Sequence, residues 1–253
     1  MSDRCGGEAA MTPKVVIVQP DVLCPPSELG RWLDEEKVSW TCVRPFDGDA
    51  VPALLDAHGL VVLGGDMSSL DDGDYPWLED IRALQRAAAE RGQPSLGICL
   101  GAQLMAQAFG GGTAVGDRGL EAGVAEVGWL PGAQDDSLVA GLASPFVAGT
   151  MHSDAVVVLP ADAVRLGSGD MYPNQVFRVG QCSWGVQFHP EINHGVYQSW
   201  VDATGTEPQK RQAMLVGGEE LLEVEDLVLR ANQELVRNFA SVVRRAATGG
   251  EWE

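Results

Sequence analysis

A cysteine attacks a carbonyl as its thiolate, so the first question is which thiol sits where deprotonation is favoured. Of the five cysteines, Cys5, Cys24, Cys42, Cys99 and Cys182, only Cys99 has such a setting. It stands in Gly97-Ile98-Cys99-Leu100-Gly101, after an apolar run at 95–98 and before an Ala, Leu, Met and Gln stretch of good helix propensity. Strand, sharp turn and helix are expected in that order. Gly97 and Gly101 give the turn the small neighbours that a strained nucleophile elbow requires. Cys99 would then lie at a helix N-terminus, where the macrodipole and unsatisfied N–H groups favour thiolate over thiol. The other four cysteines are expected to be small buried apolar groups or inert surface thiols. An odd total with no close pair and no Cys-x-x-Cys speaks against a disulfide framework or a structural zinc site.

A thiolate nucleophile needs a base to move its proton and a group to orient that base. Four histidines are available. His58, just before Gly59, has the position of a capping or surface histidine. His194 lies at an expected helix start and suits either the surface or a place behind the site. His152, in Met151-His152-Ser153-Asp154, follows an apolar run, so both a role at the rim of a site and a structural one stay open. His189 differs: in Gly185-Val186-Gln187-Phe188-His189-Pro190-Glu191 it comes directly after an apolar strand, where open α/β sheets place their ligand crevice. Glu191 follows across Pro190, whose fixed φ helps hold the turn. At that spacing its carboxylate can hold the imidazole tautomer and stabilise the imidazolium.

These residues need a sheet to carry them. The run at 14–19 is β-branched and apolar throughout, as in a parallel strand covered on both faces. A helix over 27–37, a strand at 40–44, a short helix at 51–57 and a strand at 59–63 ending in Gly64-Gly65-Asp66 follow. Pro76 opens a helix reaching about 91, with Ile81, Leu84 and Ala88 as its core-facing stripe. Alternating strands and helices imply right-handed crossovers and a three-layer, doubly wound, mostly parallel sheet of flavodoxin-like type. From 113 to 187 the pattern changes to short β-rich runs, at 124–130, 146–150, 155–159, 163–167, 175–179 and 184–188, read as antiparallel strands added to the same core. An amphipathic helix over 219–247, entered from a Gly217-Gly218 break, packs on the sheet. Residues 1–12 read as a loose arm, 13–247 as a single domain and 248–253 as a tail.

Composition narrows the function. The chain has 253 residues, 45% of them hydrophobic, which suits a folded protein rather than a disordered one. Its 17 basic and 36 acidic residues give a formal charge of −19, which argues against a nucleic-acid or anionic membrane partner. No stretch of about 18 apolar residues occurs and the first twelve lack a signal-peptide core, so a cytoplasmic protein with reduced thiols is expected. No metal-ligand constellation appears, and no cofactor is implied.

The pair Gly-Ile-Cys-Leu-Gly-Ala-Gln and Gln-Phe-His-Pro-Glu, with Cys99 and His189 separated by 90 positions, resembles the class I (triad-type) glutamine amidotransferase family. The likeness covers roughly residues 14–200. Within the family the chain is similar to stand-alone members related to the amidotransferase domain of GMP synthase, through 62–67, 74–78, 151–154 and 173–177. This resemblance implies Cys99 as nucleophile toward the glutamine side-chain amide, His189 as base and then acid, and Glu191 as its orienting carboxylate. It implies an oxyanion hole from the N–H groups of Gly65 and Leu100, and substrate contacts from Gly64, Gln103, Glu121, Gly123 and His152. It also implies a γ-glutamyl thioester, and ammonia passed to a separate synthase subunit. Ala102 stands where many relatives carry histidine and Asp66 where many carry proline, both beside the pocket. The Gly-rich pyrophosphatase loop of a complete GMP synthase is missing. Two alternatives therefore stand beside the amidotransferase: a hydrolase or peptidase of other γ-glutamyl compounds, and a catalytically silent binding module.

Overall fold

The computed structural model describes residues 12–205 and 207–250. The expected arm at 1–12, apart from Thr12, and the last three residues of the expected tail lie outside them. The apolar runs form the centre of the sheet: β1 (Lys14–Val18), then α1 (Ser27–Glu35), β2 (Ser39–Val43), β3 (Gly59–Val62), α2 (Trp77–Glu90), β4 (Ser95–Ile98) and α3 (Leu100–Ala108). β5 (Gly112–Val115), β6 (Glu121–Trp129), β7 (Phe146–His152), β8 (Asp154–Val158), β9 (Val164–Ser168), β10 (Val176–Val179) and β11 (Ser183–Val186) follow. α4 (His194–Ala203) and α5 (Pro208–Ala247) end the order.

Nine strands run β2-β1-β3-β4-β11-β10-β9-β6-β7. The first five are mutually parallel, and each later strand is antiparallel to its neighbour. β3, β4 and β11 are buried at every residue because helices cover both faces. On one face Leu29, Trp32 and Leu33 of α1 join Leu235, Val236, Phe239 and Val243 of α5 over Val15, Ile17, Val61 and Leu96. On the other, Ile81, Leu84 and Ala88 of α2 meet Leu100 and Leu104 of α3 over Val16, Val18, Leu60 and Val62. The result is the three-layer, doubly wound sheet, with flavodoxin-like order in its parallel half.

Three details differ from expectation. Residues 51–57 form no helix; a short 3-10 turn at Pro45–Asp47 precedes an irregular crossing. Pro52 disfavours helical backbone at Val51, and seven residues are too few to recover the nucleation cost. Helix α5 starts at Pro208 and runs 40 residues through Gly217 and Gly218 without a break. Those glycines serve close approach instead: a Cβ on Gly217 would lie 2.7 Å from Gly123 Cα and 2.6 Å from the Tyr197 hydroxyl. Finally, β5, which begins at the last glycine of the run 110–112, was not expected, and it pairs with β8 in a separate two-stranded sheet rather than joining the main one. Among the described residues, no helix is long and apolar enough to cross a membrane.

Candidate active site

Cys99 occupies the step from β4 to α3 with φ 49° and ψ −107°. Backbone of this kind costs on the order of 1–3 kcal/mol for a residue with a Cβ and persists only where the surroundings enforce it. They do so here through contact. A Cβ on Gly97 would lie 2.4 Å from the Gly101 carbonyl oxygen, and one on Gly101 would lie 2.2 Å from the Val62 carbonyl oxygen. The Cys99 N–H donates to Val186 O at 2.8 Å, which ties the elbow to β11. The thiol is nearly enclosed, at 5% exposure.

Because β3, β4 and β11 are parallel, their C-terminal ends meet at one edge of the sheet. β3 delivers Gly64 and Gly65, β4 delivers Cys99, and β11 leads into His189 three residues past its end. The His189 N–H donates to Gly149 O at 2.8 Å, which fixes the backbone at the start of the turn. Its Nδ1–H donates to Glu191 Oε1 at 2.7 Å, and the ring lies beside the Cys99 sulfur, which helps raise its pKa. The indole of Trp200 lies 4.7 Å away, centroid to centroid. A Cβ on Gly64 would come within 2.8 Å of His189 Cε1, so only glycine lets the loop pass this close.

Burial works against a charged imidazole at 189. It is outweighed by the Glu191 carboxylate, the Cys99 sulfur and hydrogen bonds to both, which push the pKa up to about 10. Glu191 is fully enclosed, and its Oε2 has no hydrogen-bond partner among the described residues. A buried carboxylate with one oxygen unserved is costly unless a cation balances it, so the pair favours imidazolium beside carboxylate. Cys24 lies near the same spot, its Sγ 3.4 Å from where a Gly64 Cβ would be. Burial pushes the Cys24 thiol well up, with Glu191 and Cys99 adding to the effect, so the neighbouring sulfur is held as a thiol.

These groups open on a cavity of about 480 Å³ whose wall includes Gly65, Cys99, Gln103, His152 and His189. Leu100 and Gly65 adjoin: a Cβ on Gly65 would lie 2.8 Å from Leu100 Cδ2. No hydrogen bond among the described residues engages the N–H of either. Gln103 Nε2 donates to Asp154 O at 2.9 Å. His152 sits on the wall, with Nε2 2.8 Å from Glu121 Oε2 and Nδ1 2.9 Å from Asp154 O. Glu121 and Gly123 are placed elsewhere. Glu121 is behind His152, where its Oε2 also accepts from Gln175 Nε2 at 2.8 Å, and Gly123, at φ +104°, packs against Gly217 of α5. His58 caps no helix; its Nδ1 accepts from the Lys14 N–H at 3.1 Å. His194 begins α4, away from the wall.

Sequence reasoning missed Cys24, Trp200 and Lys210, all on the cavity wall. Cys24 follows a loop with no motif, and Trp200 reads as one apolar position of a helix. Lys210 was placed ahead of an expected glycine break.

Comparison with known proteins gives consistent findings. The family model "Glutamine amidotransferase class-I" matches residues 31–203. A glutamine-hydrolyzing GMP synthase subunit from Methanococcoides burtonii is 33% identical over 149 residues, 57% of this chain and 71% of that protein. The corresponding subunit from Archaeoglobus fulgidus is 33% identical over 148 residues, 58% of this chain and 73% of that protein. A solved glutamine amidotransferase from Methylobacillus flagellatus superposes with a TM-score of 0.79 at 26% identity, covering 96% of this chain and 97% of that one. Another from Thermotoga maritima has a TM-score of 0.79 over 91% of this chain and 99% of that one; at 22% identity it speaks to fold.

Proposed function

Since this chain belongs to the class-I glutamine amidotransferase family, we propose that it hydrolyses the glutamine side-chain amide through a γ-glutamyl thioester on Cys99. The observation that carries this is the line Cys99, His189, Glu191, with Cys99 and His189 on the wall of one cavity and the imidazole hydrogen-bonded to the buried Glu191 carboxylate behind it. The Cys99 sulfur, beside a protonated His189, attacks the amide carbon. The carbonyl oxygen takes up the electron pair and is met by the N–H groups of Leu100 and Gly65, each contributing on the order of 3 kcal/mol. The C–N bond then breaks, His189 gives its proton to the leaving nitrogen, and ammonia departs. With its proton gone, His189 draws one from water, hydroxide adds to the thioester, and the S–C bond breaks to leave glutamate and the starting ion pair.

The relatives from Methanococcoides burtonii and Archaeoglobus fulgidus are named as subunits, which supports delivery of ammonia to a synthase on another chain. Reduced thiols and a small polar substrate suit the cytoplasm. One observation favours a second reading. A cavity of about 480 Å³ lies in the range that holds drug-sized ligands and exceeds what glutamine fills, so it admits a larger γ-glutamyl amide or conjugate. Turnover of purified protein with glutamine and with γ-glutamyl amides separates the two: efficient cleavage of the amides with none of glutamine would sink the amidotransferase reading. Trapping glutamate on Cys99 as an acid-stable thioester, absent in Cys99→Ala, is the expected signature of both.

A further inference from the structure

Part of the cavity is built by residues beyond the span that the family model matches. After α4 the chain turns through Thr204 and Gly205, and the first two turns of α5 put Lys210 and Met214 on the same wall system as Cys99 and His189. Met214 anchors this helix end. It is buried, its carbonyl accepts from the Tyr197 hydroxyl at 3.1 Å, and its sulfur lies 3.2 Å from Thr204 Oγ1. Lys210, four residues earlier, shares that helix face, so its backbone is placed by packing rather than left to a loose terminus.

Lys210 is partly buried and makes no hydrogen bond or ion pair among the described residues. Its isolation is unexpected in a chain with 36 acidic side chains and 17 basic ones. Lys210 is also the one lysine or arginine on the cavity wall among the described residues. The other cationic group there, His189, is already committed to Glu191 and Cys99. Two of the wall carboxylates are served as well: Asp71 accepts from the Ser68 N–H at 2.8 Å and Asp154 from the Ser68 hydroxyl at 2.7 Å.

A γ-glutamyl group carries one ammonium and one carboxylate at the end remote from the scissile amide. The positions expected to read that end do not face the cavity: Glu121 is engaged by His152 and Gln175, and Gly123 is packed on α5. An unpaired cation on the wall therefore has one anionic group to meet. We propose that Lys210 binds the α-carboxylate of the γ-glutamyl substrate and so selects amino-acid donors over simple amides. This rests on the hydrolase reading above, and it makes the start of α5 part of the substrate site. The wall carboxylate of Asp66, which accepts no hydrogen bond among the described residues, is the complementary group for the ammonium.

Calorimetric binding to the Cys99→Ala protein tests the assignment without turnover. The ligands are L-glutamine and 4-aminobutanamide, which is glutamine with hydrogen in place of the carboxylate. Adding Lys210→Ala is expected to weaken L-glutamine by about tenfold or more, the scale of one hydrogen bond to a charged group, and to change 4-aminobutanamide by less than about twofold. Lys210→Arg should recover most of the loss. Equal weakening of both ligands, unchanged L-glutamine affinity, or no L-glutamine binding at millimolar concentration would each overturn the role of Lys210. Turnover by the protein with Cys99 intact is read separately. Lys210-dependent binding without hydrolysis defeats the hydrolase reading alone, whereas hydrolysis with a KM indifferent to Lys210→Ala defeats this assignment alone.

Discussion

The parallel and antiparallel halves of the sheet contribute different things to one cavity. From β3, β4 and β11 come Gly65, Cys99 and His189, all just past C-terminal strand ends, with the Cys99 elbow closed by backbone contacts at Gly97 and Gly101 and the His189 N–H tied to Gly149 O. The antiparallel strands and α5 bring His152, Asp154, Lys210 and Met214, which line the space around those atoms. Strand ends of a buried parallel sheet cannot shift singly, because each is hydrogen-bonded on both sides. Added strands and a surface helix can vary without moving the reacting atoms. The contrast predicts that substitutions in the first group act on kcat, and those in the second on KM or on stability.

The largest expected effect is at His189. His189→Ala removes the proposed proton carrier and leaves Glu191 as an uncompensated buried charge, which is expected to cost about 3–5 kcal/mol of stability in addition to a loss of about 10⁴-fold or more in kcat/KM. Cys99→Ala should abolish ammonia release while leaving the unfolding midpoint nearly unchanged, since it strands no charge. Thermal unfolding of the two variants side by side checks this. Equal stability losses would mean that the His189–Glu191 pair is not held as ions.

Glu191→Gln probes the same pair through pH. The pKa of His189 is raised above the ordinary value of about 6.5, to about 10, so the protonated ring persists through neutrality and is lost only as pH rises through that value. The acidic limb of kcat/KM then belongs to other groups, and the alkaline limb should fall near pH 10. Removing the Glu191 charge takes away the largest of the causes that raise the pKa, so the alkaline limb of Glu191→Gln should move to lower pH. A limb that stays in place would assign it to a different group.

The two halves also differ in how far they could be read from sequence. Cys99 and His189 mark themselves because the roles proposed for them impose local patterns: small residues around a strained turn, and an apolar strand ending at a histidine with a carboxylate two residues on. The parallel strands were equally legible, since burial on both faces leaves runs such as Val15 to Val18 with no polar partner. Position relative to a distant element leaves no such mark. Gly217-Gly218 looks like a helix break until Gly123 and Tyr197 are seen against it, and Lys210 looks solvated until α5 is extended back to Pro208. The family resemblance implies a substrate contact for Glu121, but its partners are His152 at the end of β7 and Gln175 just before β10.

Gly123 sharpens the contrast at a smaller scale. With φ +104° and Gly217 Cα at 2.7 Å from any added Cβ, Gly123→Ala strains the backbone and pushes on α5. A stability loss of about 1–3 kcal/mol is expected, because neither backbone can yield without moving an element. Activity per folded molecule should fall less than tenfold, and mainly through KM, if α5 carries part of the substrate wall. An unchanged melting temperature with a large drop in kcat would place Gly123 at the reacting atoms instead.

Gln103 should give the smallest effect and the finest discrimination, because it belongs to both halves. It rides on α3, one turn past Cys99, yet its Nε2 donates to Asp154 O at the start of β8. If that bond only sets where the antiparallel wall lies, Gln103→Ala should raise the KM for glutamine about threefold, within the 0.5–1.5 kcal/mol of a neutral hydrogen bond, and leave kcat alone. The side chain is nearly enclosed, at 3% exposure, so Gln103→Glu adds a stringent arm: a carboxylate there cannot donate to the Asp154 carbonyl. It should therefore lose more than the alanine variant in KM, whereas the neutral alanine variant should leave the rate of Cys99 alkylation unaltered. A fall in kcat of about 100-fold in both variants would move Gln103 across the divide, making it a group that holds the substrate amide against Cys99 rather than a tie between α3 and the wall.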